Sequence, residues 1–228
     1  MTPKFQRTQQ SYDGGMAEGL RERKKRQARQ HISDVATGLF LERGFDEVTI
    51  AEIAEAADVS VNTVYNYFQA KEDLFLDRAK GSVARLSRFV RARDTGESAA
   101  AAVLRELRGE VEAVSPQVGL FEGYDRFMKV VEAAAGLRAR LGHMNQQSLE
   151  LLEETLRTET GADPDDPMPS LMAGQIGWAH TTLLALIGRE MMAGRSPGEV
   201  SREALGLLDD MEELFSERVL NYAVREAG

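Results

Sequence analysis

Between Thr49 and Lys71 the chain reads TIAEIAEAADVSVNTVYNYFQAK, two short helical patterns separated by a tight break. In the first, Ile50, Ile53, Ala54 and Ala57 recur at the i, i+3, i+4, i+7 spacing of one helix face. Thr49 stands before it and Glu52 follows three positions later, the spacing of a capping box. The second pattern is Val61, Val64, Tyr65 and Phe68, with Ser60 placed to accept the first free N–H groups. Helices this short have too little apolar surface to stand alone, so they must pack on a third. With Ala57-Asp58-Val59 as the joint, the pattern predicts a helix-turn-helix.

A supporting helix is predicted from about Arg21 to Arg43, with Ile32, Val35, Ala36, Leu39 and Phe40 as its apolar face. Gly44 suits a left-handed cap, with Phe45 as the hydrophobic contact that follows it. The first turns of this helix carry RERKKRQAR, residues 21–29. The whole chain is acidic, with 28 Lys and Arg against 37 Asp and Glu. A local basic stretch on an acidic body leaves one region attractive to phosphates while discouraging indiscriminate coating of nucleic acid. Residues 1–20 are polar and aperiodic and are expected to form a flexible arm.

Beyond the motif, the spacing predicts a connecting helix from Lys71 toward Arg93 and a helix over residues 97–114. A broad apolar stripe follows over 118–136, then a long helix from about Leu137 to Thr160. Three prolines make residues 161–169 a loop. Its Asp163, Asp165 and Asp166 lack the glycine and distal glutamate of an EF-hand, so no metal is expected. Two last helices are predicted, about Ser170 to Ala193 and Pro197 to Arg225. Leu183, Leu184, Ile187, Leu207, Met211, Leu214 and Phe215 offer more apolar surface than one intrachain contact would cover. The fold class is therefore all-α, with divisions at 1–20 (arm), 21–70 (helix-turn-helix domain) and 71–228 (second helical domain).

The chain has no cysteine, which removes disulfides and thiolate chemistry and is compatible with a reducing compartment. No apolar run is long enough to span a bilayer and no signal-peptide core is evident, so a cytoplasmic location is expected. Signatures of hydrolases, zinc proteases and phosphate-binding loops are missing, and His31, His143 and His180 show no metal-ligand spacing. Neither enzyme activity nor a cofactor is expected. On the second helical pattern, Asn62, Thr63, Asn66 and Tyr67 fall opposite the inward residues Val61, Val64 and Phe68, with Tyr65 at the boundary. That outer face is polar, aromatic and uncharged, suited to phosphate oxygens or base edges.

Thr49, Ile53, Ala54, Ala57, Val59, Ser60, Thr63, Tyr65, Tyr67, Phe68, Lys71 and Glu72 together resemble the DNA-binding module of the TetR family of bacterial transcriptional regulators. The family pattern runs roughly T-x-x-x-I-A-x-x-A-G-V-S-x-G-T-x-Y-x-Y-F-x-S-K-E. Asp58 and Asn62 replace frequent glycines and Ala70 a frequent serine. The resemblance covers about the first third of the chain. It implies a homodimer that binds double-stranded operator DNA and answers to a small-molecule ligand. It implies phosphate contacts at Thr63, Tyr67 and Lys71 and base-edge contacts at Asn62, Thr63 and Tyr65; Asn66 on the outer face and Thr49 at the start of the motif complete the residues expected to contact DNA. Phe121, Tyr124, Phe127, Met128, Met144, Gln147, Trp178, His180 and Thr181 have the aromatic, Met and polar mixture of a ligand cavity, and equally of an ordinary core. The rival reading is a helical ligand-binding or enzymatic domain whose N-terminal motif no longer binds DNA.

Overall fold

The computed structural model describes residues 13–226. The chain divides into two compact units, the first ending at Phe75 and the second beginning at Leu76. In the first, α1 (Asp13–Arg43) packs on α2 (Ile50–Ala56) and α4 (Lys71–Phe75), and α3 (Val61–Tyr67) packs on α2. The helix α1 starts eight residues before the expected Arg21, since extending a formed helix costs little per residue. The remainder of the expected arm, residues 1–12, lies outside the described residues.

The core of this unit is set by Ile32, Ala36 and Phe40, four apart along α1 and fully buried. Phe40 lies 4.9 Å from the Phe45 ring and 5.8 Å, edge on, from Phe75. Gly44 ends α1 at φ 91°, and its N–H bonds the Phe40 carbonyl at 2.9 Å, as the expected left-handed cap requires. The buried Ser33 hydroxyl donates to the Leu74 carbonyl at 3.0 Å and ties α4 to α1.

The second unit opens with a 3-10 turn (Asp77–Ser82) and α5 (Arg85–Arg91), then α6 (Ala99–Glu112) and a 3-10 turn (Pro116–Val118). It continues with α7 (Tyr124–Ala133), α8 (Ala135–Thr160), α9 (Met168–Met192), α10 (Pro197–Leu214) and α11 (Glu217–Leu220). Five helices close a ring in which α5 packs on α8, α8 on α9, α9 on α10, α10 on α6, and α6 on α5. Leu86, Leu107, Val111, Leu152, Leu183, Ile187, Val200 and Leu208 fill it. Ser98 and Ser196 cap α6 and α10, the latter through a capping box with Glu199. Gly96 and Glu97 exchange backbone hydrogen bonds with Arg225, fastening the C-terminal segment to the turn before α6.

Three expectations are corrected. The connecting helix from Lys71 to Arg93 is broken into α4, a 3-10 turn and α5. Residues 73–76 are all buried, and four successive residues of one straight helix point round roughly 300° of its circumference, so the chain must leave the helix to bury them. The last helix stops at Leu214. Phe215 is extended, which turns both Phe215 and Val219 into the core while Leu214 faces out. Finally, Leu183, Ile187, Met211 and Phe215 are covered within the chain, so they are not the surplus apolar surface expected of them. The apolar side chains left exposed on these two helices are Leu171, Trp178 and Leu214, at 58%, 45% and 72%.

Phe40→Ala should remove about 3–5 kcal/mol from the first unit. Trp178, the only tryptophan, sits in the second unit. In urea, the variant should lose helical circular dichroism in an early step that leaves Trp178 fluorescence unchanged. Coincident transitions by both probes would show that the two units unfold as one.

Candidate nucleic-acid interface and the polar core of the second unit

Each short helix of the motif is fixed by its cap. The Glu52 N–H donates to Thr49 Oγ1 at 3.2 Å, and the Thr49 N–H and hydroxyl both reach Glu52 Oε2 at 2.8 Å. Arg43 adds an ion pair to the other Glu52 oxygen at 2.7 Å. These bonds favour the carboxylate, led by the Thr49 backbone N–H, and bring the Glu52 pKa from 4.5 down to about 2. At the turn, Asp58 takes φ 52°, the left-handed conformation expected where the family prefers glycine, and the Val59 N–H bonds the Ala54 carbonyl at 2.9 Å. Ser60 caps α3 by accepting from the Thr63 N–H at 3.1 Å.

The helix α3 buries Val64, and its C-cap residue Phe68 is buried with it. Arg29 of α1 donates to the Tyr67 carbonyl at 2.9 Å and lies over the Phe68 ring at 4.6 Å, which holds the C-terminal end of α3. The exposed face carries Val61, Asn62, Tyr65 and Asn66, with Tyr65 56% exposed. Val61 was expected to point inward. It is exposed because Val64 and Phe68, four apart, already fill the contact with the rest of the unit. Thr63 and Tyr67 are half-buried at the edges of this face. Arg21, Arg23, Lys24, Lys25 and Arg26 are all exposed on α1.

Two expected DNA-contact residues have structural work within the unit. The Thr49 hydroxyl both donates to and accepts from Glu52. The Lys71 ammonium donates to the Phe45 carbonyl at 2.5 Å and lies 4.5 Å from the centre of the Phe45 ring. It thereby satisfies backbone left unpaired where α1 ends. The sequence signal for this was available, since Gly44-Phe45 marks that end.

The residues expected to line a cavity separate into groups. Phe121 stacks edge on with Tyr124 at 5.4 Å and with Phe127 at 6.1 Å. Tyr124 packs closely over Gly188 of α9. Met144 is buried, and Met128 and Gln147 are half-buried. Trp178 is instead on the outer side of α9, and the Thr181 hydroxyl is bonded back to the Gly177 carbonyl at 2.9 Å. His180 lies eight residues from Gly188, roughly 12 Å along the helix. Its Nε2 accepts from Arg85 Nη2 at 2.8 Å. Burial, and then the Arg85 charge, bring the His180 pKa down to about 4, so it is neutral near pH 7. Arg85 was not singled out from the sequence. The available signal was an arginine directly before the buried Leu86 in a run of apolar helix positions.

A capped helix-turn-helix on a supporting helix, followed by an all-helical second unit, defines a DNA-binding transcriptional regulator. Residues 32–77 match the family described as bacterial regulatory proteins, tetR family. Over 155 residues the chain is 30% identical to the HTH-type transcriptional regulator TcmR of Streptomyces glaucescens, covering 65% of this chain and 67% of that protein. Among solved structures it is similar to NalD, the secondary repressor of the MexAB-OprM multidrug efflux pump in Pseudomonas aeruginosa. That likeness has a TM-score of 0.53 and 22% identity, over 82% of this chain and 96% of NalD. It is also similar to a SmeT–triclosan complex, with a TM-score of 0.54 and 18% identity over 84% and 93% of the two chains. SmeT is the repressor of the Stenotrophomonas maltophilia multidrug efflux pump SmeDEF. The two structural likenesses speak to the fold. The chain belongs to the TetR family of bacterial regulatory proteins.

Thr49→Ala should destabilise the first unit by about 1 kcal/mol through loss of the cap. The folded Glu52 pKa is depressed, so its contribution is complete above about pH 4.5 and is lost as pH falls toward 2. Urea titrations of wild type and Glu52→Gln at pH 7 and pH 3 should therefore differ more at pH 7. An equal difference at both pH values would remove the cap from the stability of the motif.

Proposed function

We propose that the chain is a repressor that binds a roughly palindromic operator as a homodimer and is released by a small-molecule ligand. The observation that carries this reading is the uncharged face of a capped α3, with Asn62, Tyr65 and Asn66 exposed. Asn pairs bidentately with adenine, and an exposed tyrosine ring offers apolar contact to a thymine methyl. Thr63 and Tyr67 at the edges, with the basic turns of α1, supply phosphate contacts that set register. Thr49 and Lys71 contribute to DNA binding chiefly by holding α2 and α4 in place.

The dimer reading rests on Leu171, Trp178 and Leu214, which share the exposed sides of α9 and α10 with Gly174, Ala185 and Gly206. Large apolar residues beside small ones suit a second copy of the same pair of helices, giving a four-helix contact with two-fold symmetry. The ligand reading draws on the relatives, of which one is bound to triclosan. The Phe121, Tyr124, Phe127, Met128, Met144, Gln147 and His180 side chains are the candidates for that role. No helix among the described residues is long and apolar enough to cross a membrane.

Fluorescence anisotropy with DNA flanking the gene tests the reading directly. Asn62→Ala should change base preference at one position of each half-site by about 5- to 150-fold. Lys24→Ala with Lys25→Ala should weaken all sequences alike and reduce the salt slope by up to about 1.8 units. Light scattering should give twice the chain mass, and Leu171→Glu with Trp178→Glu should give a monomer. A wild-type protein with no sequence preference in any flanking DNA would favour the rival, a helical domain that no longer binds DNA.

A further inference from the structure

Among the described residues of the second unit, Arg85 is the most deeply buried charged residue, at 2% exposure. Its partners are incomplete. Nη1 donates to the Gln117 carbonyl at 2.6 Å and Nη2 to His180 Nε2 at 2.8 Å. The Nε–H has no acceptor among the described residues. Its ion-pair partner is Glu110, whose Oε2 stands 3.3 Å from Nη1 and makes no hydrogen bond among the described residues. Arginine binds a carboxylate best through two parallel bonds, and Glu110 makes neither. A buried pair this loosely matched leaves both charges poorly compensated. Burial accordingly pushes the Glu110 pKa up, against the pull of Arg85.

The Glu110 side chain is itself partly exposed, at 21%. A groove of about 480 Å³ runs along the end of α6, where Glu110 and Gly109 lie among the charged Arg105, Glu106, Arg108 and Glu112. Immediately beyond it Val114 is held at φ 50°, a left-handed conformation that a β-branched residue rarely adopts. Glu110 both lines this cleft and faces Arg85. On the inner side, Leu86, Val118, Ala179 and Leu183 adjoin Arg85, Gln117 and His180 in the chain, and all are buried in the apolar core.

We propose that Arg85 is the anchor for the carboxylate of a small apolar acid, which bonds the guanidinium edge that Glu110 leaves unused and so replaces Glu110 as its ionic partner. This rests on reading the second unit as a small-molecule sensor. The incoming carboxylate bonds the Nε and Nη2 edge of Arg85, where Nη2 gives one of its two hydrogens to His180. Neutral His180 positions the guanidinium without repelling the acid. Glu110 is released to the cleft, which breaks the ionic link between α5 and α6.

The experiment pairs acids with neutral counterparts of the same shape: octanoate with 1-octanol, and benzoate with benzamide. Thermal stability of the full chain and release of operator DNA are both read. At least one acid should act at a concentration ten-fold or more below its counterpart. Glu110→Gln, similar in size but without the charge, should improve that acid a further five-fold or more by removing the internal competitor. Arg85→Lys keeps the charge but loses the planar fork and should abolish the preference for the acid. Equal response to acid and neutral compound, no response to any of the four, or no gain in Glu110→Gln would each overturn the proposal. Operator release by the alcohol or amide alone would overturn the acid class and leave ligand-controlled repression standing. Failure to bind operator would count against that repression, while the stability shifts would still decide the acid site.

Discussion

A seven-residue helix does not hold itself together in water, and the DNA-reading part of this protein is two of them. Forming one turn fixes several residues for a single hydrogen bond, so helices this short are marginal without tertiary support. The support is the strip of α1 bearing Ile32, Ala36 and Phe40. Around Phe40 gather Phe45 and Phe75, with the Lys71 ammonium 5.6 Å above its ring. Other bonds fasten three elements of the first unit: Gly44 ends α1, Ser33 and Lys71 hold α4, and Arg29, farther along α1, holds α3. The outer face of α3, with Asn62, Tyr65 and Asn66, is left exposed.

The second unit solves a different problem. Its helices are apolar on more than one side, and a ring of five lets each bury two flanks. Charges drawn into such a ring need partners. Arg93 finds them, with the Val90 carbonyl at 2.6 Å, the Glu159 carboxylate at 2.8 Å and the Ala223 carbonyl at 3.0 Å. Arg85 is only partly matched. Two arginines eight residues apart, at the start of α5 and just past its end, thus have opposite characters: one is a clamp for the C-terminal segment, the other a charge held in reserve. That contrast, more than the burial itself, marks Arg85 as functional.

Family membership and the physical reading meet at the motif. The relatives place the chain among DNA-binding regulators, and the caps, the left-handed Asp58 and the bare face of α3 show how the local sequence builds such a head. The second unit is less constrained by kinship, because similarity at 18–22% identity fixes the fold and leaves the sensing chemistry to this chain's own residues.

Much of the first unit was legible in the sequence. Capping boxes, glycine caps and the 3.6-residue repeat are local, so Thr49 with Glu52, Ser60, Gly44 and the buried Val64 and Phe68 could be placed from a few neighbouring residues each. The helix content of the second unit and the boundaries of α6, α8 and α9 followed from the same periodicity. What only the tertiary structure decided is which apolar face meets which neighbour. Periodicity says that Leu183, Ile187 and Met211 are buried but not by what, so they passed for a surface that Leu171, Trp178 and Leu214 in fact provide. It likewise gave one helix from Lys71 to Arg93, although the chain changes compact units within it and must bend to bury both sides. For Lys71 and Arg85 the sequence offered a local hint but not the partner, for a related reason. Their partners, Phe45, Gln117 and His180, are 26, 32 and 95 residues away, and a contact between such residues exists only once the helices between them have packed.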